Sequence, residues 1–548
     1  MKKLIVYRGQ VAAEITSYSA EAYLYRIGPG ELIGDDLIEI NNSDRLNQIA
    51  EEIRDDYCQW IYGFHHLFNN SDLSYENFSL FFLTDLSCNR AEFFETFNNV
   101  CNLFYLREKI DELSISSVRL IGFDRAFASA FQSLFSDTKI HLENMQPVKF
   151  NLVRRWFSDL RFIGISAIIR LFWSGMGQQS NYGQDKNRIF FSFFPQMFDS
   201  SGREEKFGSL ISSNDQVAAF LLSDGMHQKP KLSCYFRNVK RAKEHGFEII
   251  DRFLRWADFQ ECLIWAWKLW RWYPRVCSQI PKYREIDMSG MIQTEIRFSI
   301  SRAVRLVLLK GSVKRFLVDK KCATEIFYYP VEYPLGRLIS WVSSTVRRDI
   351  HRWGFQMSPV STRRLEQFLA EGEASIEPPF LSNAPIPDSI LAEDERSAEI
   401  YRYAGYQNVN VMEKIFRYES QDRFKSGGDQ NLVLIAPGLH DGGMMMKFLS
   451  NTILDRKDRG WILKPHPRGD TSYLKDWVGF KNLAISRDPI AKILEQVSEV
   501  YVTYSSVGLE ASKIGLKVNV LNIPGHINTS PLLDSRLVKR DNSGSAFG

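Results

Sequence analysis

The 548-residue chain has no CxxC pair, no HExxH or HxxxH pattern, and no uncharged apolar run of about eighteen residues. The first two absences leave a zinc site or a disulfide framework without sequence support, and no metal is expected. The third leaves no segment that reads as a transmembrane helix. Net charge is only +4, too small to argue for nucleic acid as a bulk partner. Seven cysteines at 58, 88, 101, 234, 262, 277 and 322 form an odd, unpatterned set, which reads as reduced core thiols of a cytosolic protein. The opening Met1-Lys2-Lys3-Leu4-Ile5-Val6-Tyr7-Arg8 starts like a signal peptide for three residues. Arg8 then interrupts any apolar h-region, so the segment reads as a first β-strand.

Aromatic residues are what the chain has in quantity, with 39 Phe, 22 Tyr and 12 Trp. The length calls for two or three domains. From 1 to about 145, strand-like and helix-like segments alternate: a strand at 4–7, helical spacing over 44–61, a buried strand at 78–83 ending in Thr84-Asp85-Leu86-Ser87, a helix over 91–112 and a strand at 118–124. This predicts an α/β layer. Residues 150–175 interleave Arg154, Arg155, Arg161 and Arg170 with Trp156, Phe157, Phe162, Trp173 and several isoleucines. Such a stretch reads either as a membrane-interface helix or as an insertion helix packed on its own domain. The same two readings apply to 238–276, with Trp256, Trp265, Trp267, Trp270 and Trp272 beside Arg255, Lys268, Arg271 and Arg275. Strands are expected at 189–194, 218–222 and 325–329, and a short one at 354–358.

Residues 368–394 are rich in Glu, Pro, Ser and Ala, the best linker signal in the chain. The expected organisation is therefore an acceptor-binding domain over 1–370, with an insertion around 150–187 and a helical segment at 238–320. A linker over 371–394, a nucleotide-sugar-binding domain over 395–535 and a flexible tail over 536–548 would complete it. After the linker, strands at 408–411, 431–436, 461–464, 483–485, 499–503 and 517–521 alternate with short helices. That pattern specifies a doubly wound parallel sheet.

Ligands of such sheets bind beyond the carboxyl ends of the strands. Three ends are chemically suggestive. After 431–436 come Pro437-Gly438-Leu439-His440-Asp441-Gly442-Gly443, where Gly438 allows close approach and Asp441 reads as helix cap or functional acid. The strand at 461–464 ends in Lys464-Pro465-His466-Pro467-Arg468, a turn locked by two prolines around a histidine. After 499–503, Ser505-Ser506 open a helix containing Glu510; they read as an N-cap, a phosphate site, or both.

These residues resemble the HP and S motifs of bacterial transferases that use CMP-sugars, among them sialyltransferases and Kdo transferases of capsule and lipopolysaccharide assembly. The segment 436–441 resembles the strand-turn-acid segment of retaining β-Kdo transferases, where the acid is a nucleophile, although those usually have Gln where this chain has Leu439. A wider resemblance, over about 325–525, is to surface-carbohydrate biosynthesis proteins of GT-B type. It rests on Pro330-Val331-Glu332-Tyr333-Pro334-Leu335-Gly336-Arg337, on Gly354-Phe355-Gln356-Met357-Ser358 (where relatives often carry His at the Met357 position), and on a segment containing Arg417.

The expected fold is thus α/β, GT-B, with two Rossmann-like domains facing a cleft and a helical, aromatic insertion in the N-terminal half. The resemblance implies a glycosyltransferase moving a Kdo-like or nonulosonic acid from a CMP-activated donor to a surface glycan. No cofactor is expected beyond that donor substrate, and the place of work would be the cytoplasmic face of the inner membrane. Gly438, His440, Lys464, His466, Arg468, Ser505, Ser506 and Glu510 would hold the donor. Asp441, Glu332 and His466 would carry catalysis, and Asp85, Arg337, Gln356 and Arg417 are acceptor-side candidates. A CDP-polyol phosphotransferase of teichoic-acid type and a non-catalytic glycan-assembly scaffold remain the alternatives.

Overall fold

The computed structural model describes residues 2–9, 13–14, 21–30, 32–33, 37–71, 73–75, 77–90, 94–135, 138–146, 152–175, 186–199, 201–222, 232–330, 334–412 and 429–534. Its frame is three β-sheets in chain order. The first holds β1 (Lys3–Arg8), β2 (Ala22–Ile27), β3 (Leu37–Glu39), β4 (Ser117–Ile121) and β5 (Lys139–Glu143), in the order β3-β2-β1-β4-β5. The middle sheet holds β6 (Arg188–Phe193), β7 (Gln216–Phe220), β8 (Glu248–Ile249), β9 (Glu325–Tyr328), β10 (His351–Phe355), β11 (Ser389–Ala392) and β12 (Val409–Val411), ordered β8-β7-β6-β9-β10-β11-β12. The third holds β13 (Asp429–Ile435), β14 (Gly460–Leu463), β15 (Leu483–Ile485), β16 (Val497–Val502) and β17 (Lys517–Val520), ordered β15-β14-β13-β16-β17.

Every pairing between these strands is parallel. In each sheet the chain works outward from its first strand and then returns to that strand's other side. The reversals fall between β1 and β4, β6 and β9, and β13 and β16, which are the places where open sheets bind ligands. Helices cover both faces, so the inner strands are apolar without alternation. Leu4, Ile5 and Val6 are buried in β1, as are Val433, Leu434 and Ile435 in β13.

The α/β class and the two Rossmann-like sheets facing a cleft agree with the sequence reading. The first and third sheets form that pair. The division of the chain differs. The span 1–370 contains two sheets rather than one, because periodicity shows that a segment is a buried strand but not which sheet it joins. The 371–394 stretch is not a free linker: β11 pairs with β10 over Trp353–Phe355, and Ala374–Ser375 pairs with Ala384–Pro385. Residues 395–411 also belong to the middle sheet, through β12. The strand expected at 78–83 pairs only over Phe78–Ser79, and Leu80–Leu83 continue as a buried 3-10 turn.

Seven helices matter below: α1 (Ser43–Tyr62), α2 (Thr96–Leu113), α3 (Leu152–Gly175), α4 (Trp256–Val276), α5 (Ser289–Asp319), α6 (Gly442–Phe448) and α7 (Val507–Lys513). One continuous core joins the first and middle sheets, with α5 buried along most of its length. The third sheet has a separate core on each face. Its trailing segment anchors it to the rest. Gly28 donates its N–H to Pro524 O (2.9 Å), and the Asn98 and Asn102 amides both reach Gly525 O (3.0 and 2.9 Å). Farther on, Asp534 meets Arg363 (3.5 Å) and Arg396 (3.1 Å). Cys58, Cys88, Cys101 and Cys262 are buried, whereas Cys234 and Cys322 are exposed, so the core-thiol reading holds only in part.

Candidate active site in the cleft between sheets

The carboxyl edge of β13 delivers the site. After Ile435, the buried Ala436 and Pro437 lead to Gly438, where an added Cβ would lie 2.5 Å from the Tyr504 ring. The close approach that demands glycine is therefore to this protein's own tyrosine. Tyr504 fixes the turn further, since its hydroxyl accepts the His440 N–H at 3.0 Å. Asp441 stands at the N-cap of α6, yet its side chain caps nothing; it accepts the hydroxyl of Thr503, beyond the end of β16. The carboxylate is 5% exposed and thus held on the seam between the two central strands. Gly442 is needed for a similar reason to Gly438, because its Cβ would come within 2.5 Å of the Tyr473 hydroxyl.

One strand over, His466 lies in the proline-flanked turn after β14. Its Nδ1 accepts the Arg468 N–H at 3.2 Å, so a neutral ring carries its proton on Nε2. Burial pushes the imidazole down to about 3, and the positive fields of Arg468, Lys206, His440 and Lys464 push the same way. The residue is a neutral donor at working pH. The cations that keep it neutral also make its surroundings favourable for an anion.

A cleft of about 1030 Å³ opens here. Gly438, His440, Gly442, Gly443 and His466 form part of one wall, and Arg8, Gly28, Gly122 and Asp124, at the carboxyl ends of β1, β2 and β4, form part of the other. Glu95 and His526 complete the junction. A smaller cavity of about 270 Å³ adjoins it through His440 and reaches Asp441, Thr503, Arg363, Arg364 and Glu366, so all three structural units meet at this point. Two Rossmann-like edges facing each other across a volume of this size can hold a nucleotide-sized ligand.

Of the residues singled out in the sequence, Gly438, His440 and His466 line the cleft, and Asp441 lines the smaller cavity that shares His440 with it. Lys464 and Arg468 act on His466 through their charge but are not part of the cleft walls; Arg468 Nη1 instead lies 3.3 Å from Met197 Sδ of the middle unit. Ser506 occupies the N-cap of α7 without capping it and points its hydroxyl toward Glu510 (3.5 Å). Neither serine nor Glu510 lines the two cavities, which use the neighbouring Thr503 and Tyr504. Glu332 and Arg417 lie outside the described residues.

The remaining acceptor-side candidates lie in buried pairings and line neither cavity. Asp85 is buried between Arg90 (3.0 Å) and Arg302 (3.4 Å), Arg337 pairs with Glu373 (2.9 Å), and Gln356 accepts the Glu393 N–H (2.9 Å) while donating to Ser358 O (3.0 Å). Each reads as functional in sequence because it follows a strand-like run, but each is spent on packing. Asp85→Ala is expected to cost about 3–5 kcal/mol of stability, because it removes the carboxylate that two buried guanidinium groups share. Denaturant melts check this, and unchanged stability with lost ligand binding would return Asp85 to the site. Met357 is buried in the shared core.

Sequence reading missed the opposite wall. Arg8 stacks on Phe123 (4.7 Å) and Phe127 (5.1 Å), bonds Asn99 and lies 3.5 Å from Glu95. The signal was its place directly after the first apolar strand. Among the described residues, no group of three or more His, Cys, Asp or Glu side chains is placed to hold a metal ion, and no helix is long and apolar enough to cross a membrane.

No family model matches the chain, and no curated protein does so significantly. Among solved structures it is similar to UDP-GlcNAc 2-epimerase from Neisseria meningitidis bound to UDP-GlcNAc (10% identity, TM-score 0.27, 39% of this chain). That match spans 65% of the epimerase's length, just under two thirds. It is also similar to Anabaena Alr3699/HepE in complex with UDP and glucose (10%, TM-score 0.33, 61% of this chain and 80% of that one). A third likeness is to the wall teichoic acid polymerase TagF (10%, TM-score 0.28, 67% and 78%). At scores this low, the architecture rests on the sheets described above.

Proposed function

We propose that the protein is a GT-B glycosyltransferase that moves a Kdo-like or nonulosonic acid from a CMP-activated donor to a surface glycan acceptor. One observation carries this reading. A neutral His466 N–H donor lines the cleft between the first and third sheets, and the buried Asp441, on the adjacent strand end, lines the smaller cavity that adjoins that cleft.

The chemistry follows from the donor. As the glycosidic bond breaks, charge grows on the departing nucleoside monophosphate. His466 Nε2–H donates to it, and the fields of Lys464, Arg468 and Lys206 lower its energy further. The sugar centre becomes electron-poor, and a carboxylate stabilises or attacks it. We assign this role to Asp441, which lines the adjoining cavity. Its contact with Thr503 orients one oxygen and leaves the carboxylate directed by the seam between strands.

A CDP-polyol phosphotransferase would use the same histidine to neutralise a phosphate but needs no carboxylate at the sugar carbon. Product mass separates the two. Purified enzyme supplied with CMP-activated ulosonic acids and an oligosaccharide acceptor is expected to add one ulosonic acid residue. Addition of a phosphodiester-linked polyol from a CDP-alcohol, with no ulosonic transfer, would replace this reading by the other.

A further inference from the structure

Helices α3 and α4 both pack on α5 and meet through the Trp156 and Trp270 rings, 5.8 Å apart. Each buries one face: Phe162, Ile163 and Ile169 of α3, and Phe259, Trp265, Leu269 and Trp272 of α4. Their outer faces are also apolar. Phe157, Leu160, Ile168 and Leu171 of α3 are exposed at helical spacing, and so are Trp256, Leu263, Ile264 and Trp267 of α4, with Phe157 66% and Trp267 64% exposed. The insertion-helix and interface readings are therefore compatible, since they describe opposite faces of the same helices.

Charge is sorted between those faces. All three acids of the two helices are engaged: Asp159 accepts Ser301 Oγ (3.0 Å), Asp258 pairs with Arg315, and Glu261 pairs with Lys310. Arg161, Lys268, Arg271 and Arg275 are exposed, with Arg255 at the N-cap of α4. Among the described residues of the two helices, the exposed charges are all positive and stand beside protruding aromatics, a combination that marks an interaction site.

We infer that the α3–α4 surface docks in the headgroup region of an anionic lipid bilayer, with Phe157 and Trp267 inserted and the cations over lipid phosphates. Charge complementarity selects this occupant. A second copy docking through the same patch about a two-fold axis would set these cations against their own images. Neither helix is apolar enough to span, so the contact is peripheral. The inference does not depend on the chemistry assigned to the cleft.

Co-sedimentation of the full chain with vesicles tests it. Binding to phosphatidylglycerol/phosphatidylcholine vesicles is expected, with much weaker binding to phosphatidylcholine alone and release at about 1 M salt, where the screening length is about 3 Å. The triple variant Lys268→Glu/Arg271→Glu/Arg275→Glu should lower the partition coefficient at least about a hundredfold. Phe157→Ser/Trp267→Ser should lower it about tenfold. All five positions are exposed, and circular dichroism confirms the fold of each variant. Equal binding to both vesicle types, or binding unmoved by these changes, overturns the inference. Self-association without lipid that is lost in Phe157→Ser/Trp267→Ser overturns it too, in favour of a second copy.

Discussion

His466→Ala should lower sugar transfer by about two to three orders of magnitude while the protein stays folded, because one preorganised donor to the leaving phosphate is lost. His466→Gln, which retains an N–H donor, should recover part of the rate. The pH profile distinguishes this role from general acid catalysis. With the imidazole held at about 3, His466 contributes no limb to the wild-type profile between about pH 5 and 9. Stability should respond to pH instead. The unfolded imidazole, with its ordinary value near 6.5, takes up a proton that the folded one refuses. This contribution is fully present above about 6.5 and is lost as pH falls toward 3, and His466→Gln should flatten that slope in thermal melts. Near wild-type transfer in folded His466→Ala would remove the histidine from the donor site.

Asp441→Asn should abolish measurable transfer, a loss of at least about three orders of magnitude, while CMP binding persists. An amide neither attacks nor offsets positive charge at the sugar centre, but it still accepts the Thr503 hydroxyl, so the turn should hold. Incubating wild-type enzyme with donor and no acceptor should leave a sugar-sized mass on the peptide that contains Asp441. The product should keep the donor's anomeric configuration, because two inversions give retention. An inverted product without an adduct would point to single displacement, and Glu332→Gln would become the variant to make. The structure removes the bland alternative for Asp441, since this carboxylate is not a helix cap.

The third sheet was legible almost strand by strand. Runs such as Val500-Tyr501-Val502 are apolar on both faces and end abruptly, so periodicity located β13 to β17 within a few residues. Gly438, His440, Asp441 and His466 were legible for the same reason, because strand ends in such sheets face ligands. The middle sheet was read as part of one large domain, since no local signal says which strands pair. For Asp85, Arg337 and Gln356, sequence shows a polar residue at a strand end but not the Arg302, Glu373 or Glu393 that meets it from a distant segment. The glycines were right in position but not in partner, as the tyrosines they accommodate lie over thirty residues away in the case of Gly442 and over sixty in the case of Gly438.

If the cleft holds the CMP of an activated sugar against His466, that nucleotide should stabilise the fold and the histidine should matter to it. Thermal melts of wild type and His466→Ala with CMP, CDP, UDP and GDP test it most directly, since a ligand at a hundredfold excess over its Kd stabilises its folded host by about 2.7 kcal/mol. CMP should shift wild type clearly upward, UDP and GDP little or not at all, and CMP should shift His466→Ala much less. A shift by UDP but not CMP, or an undiminished CMP shift in His466→Ala, would contradict it.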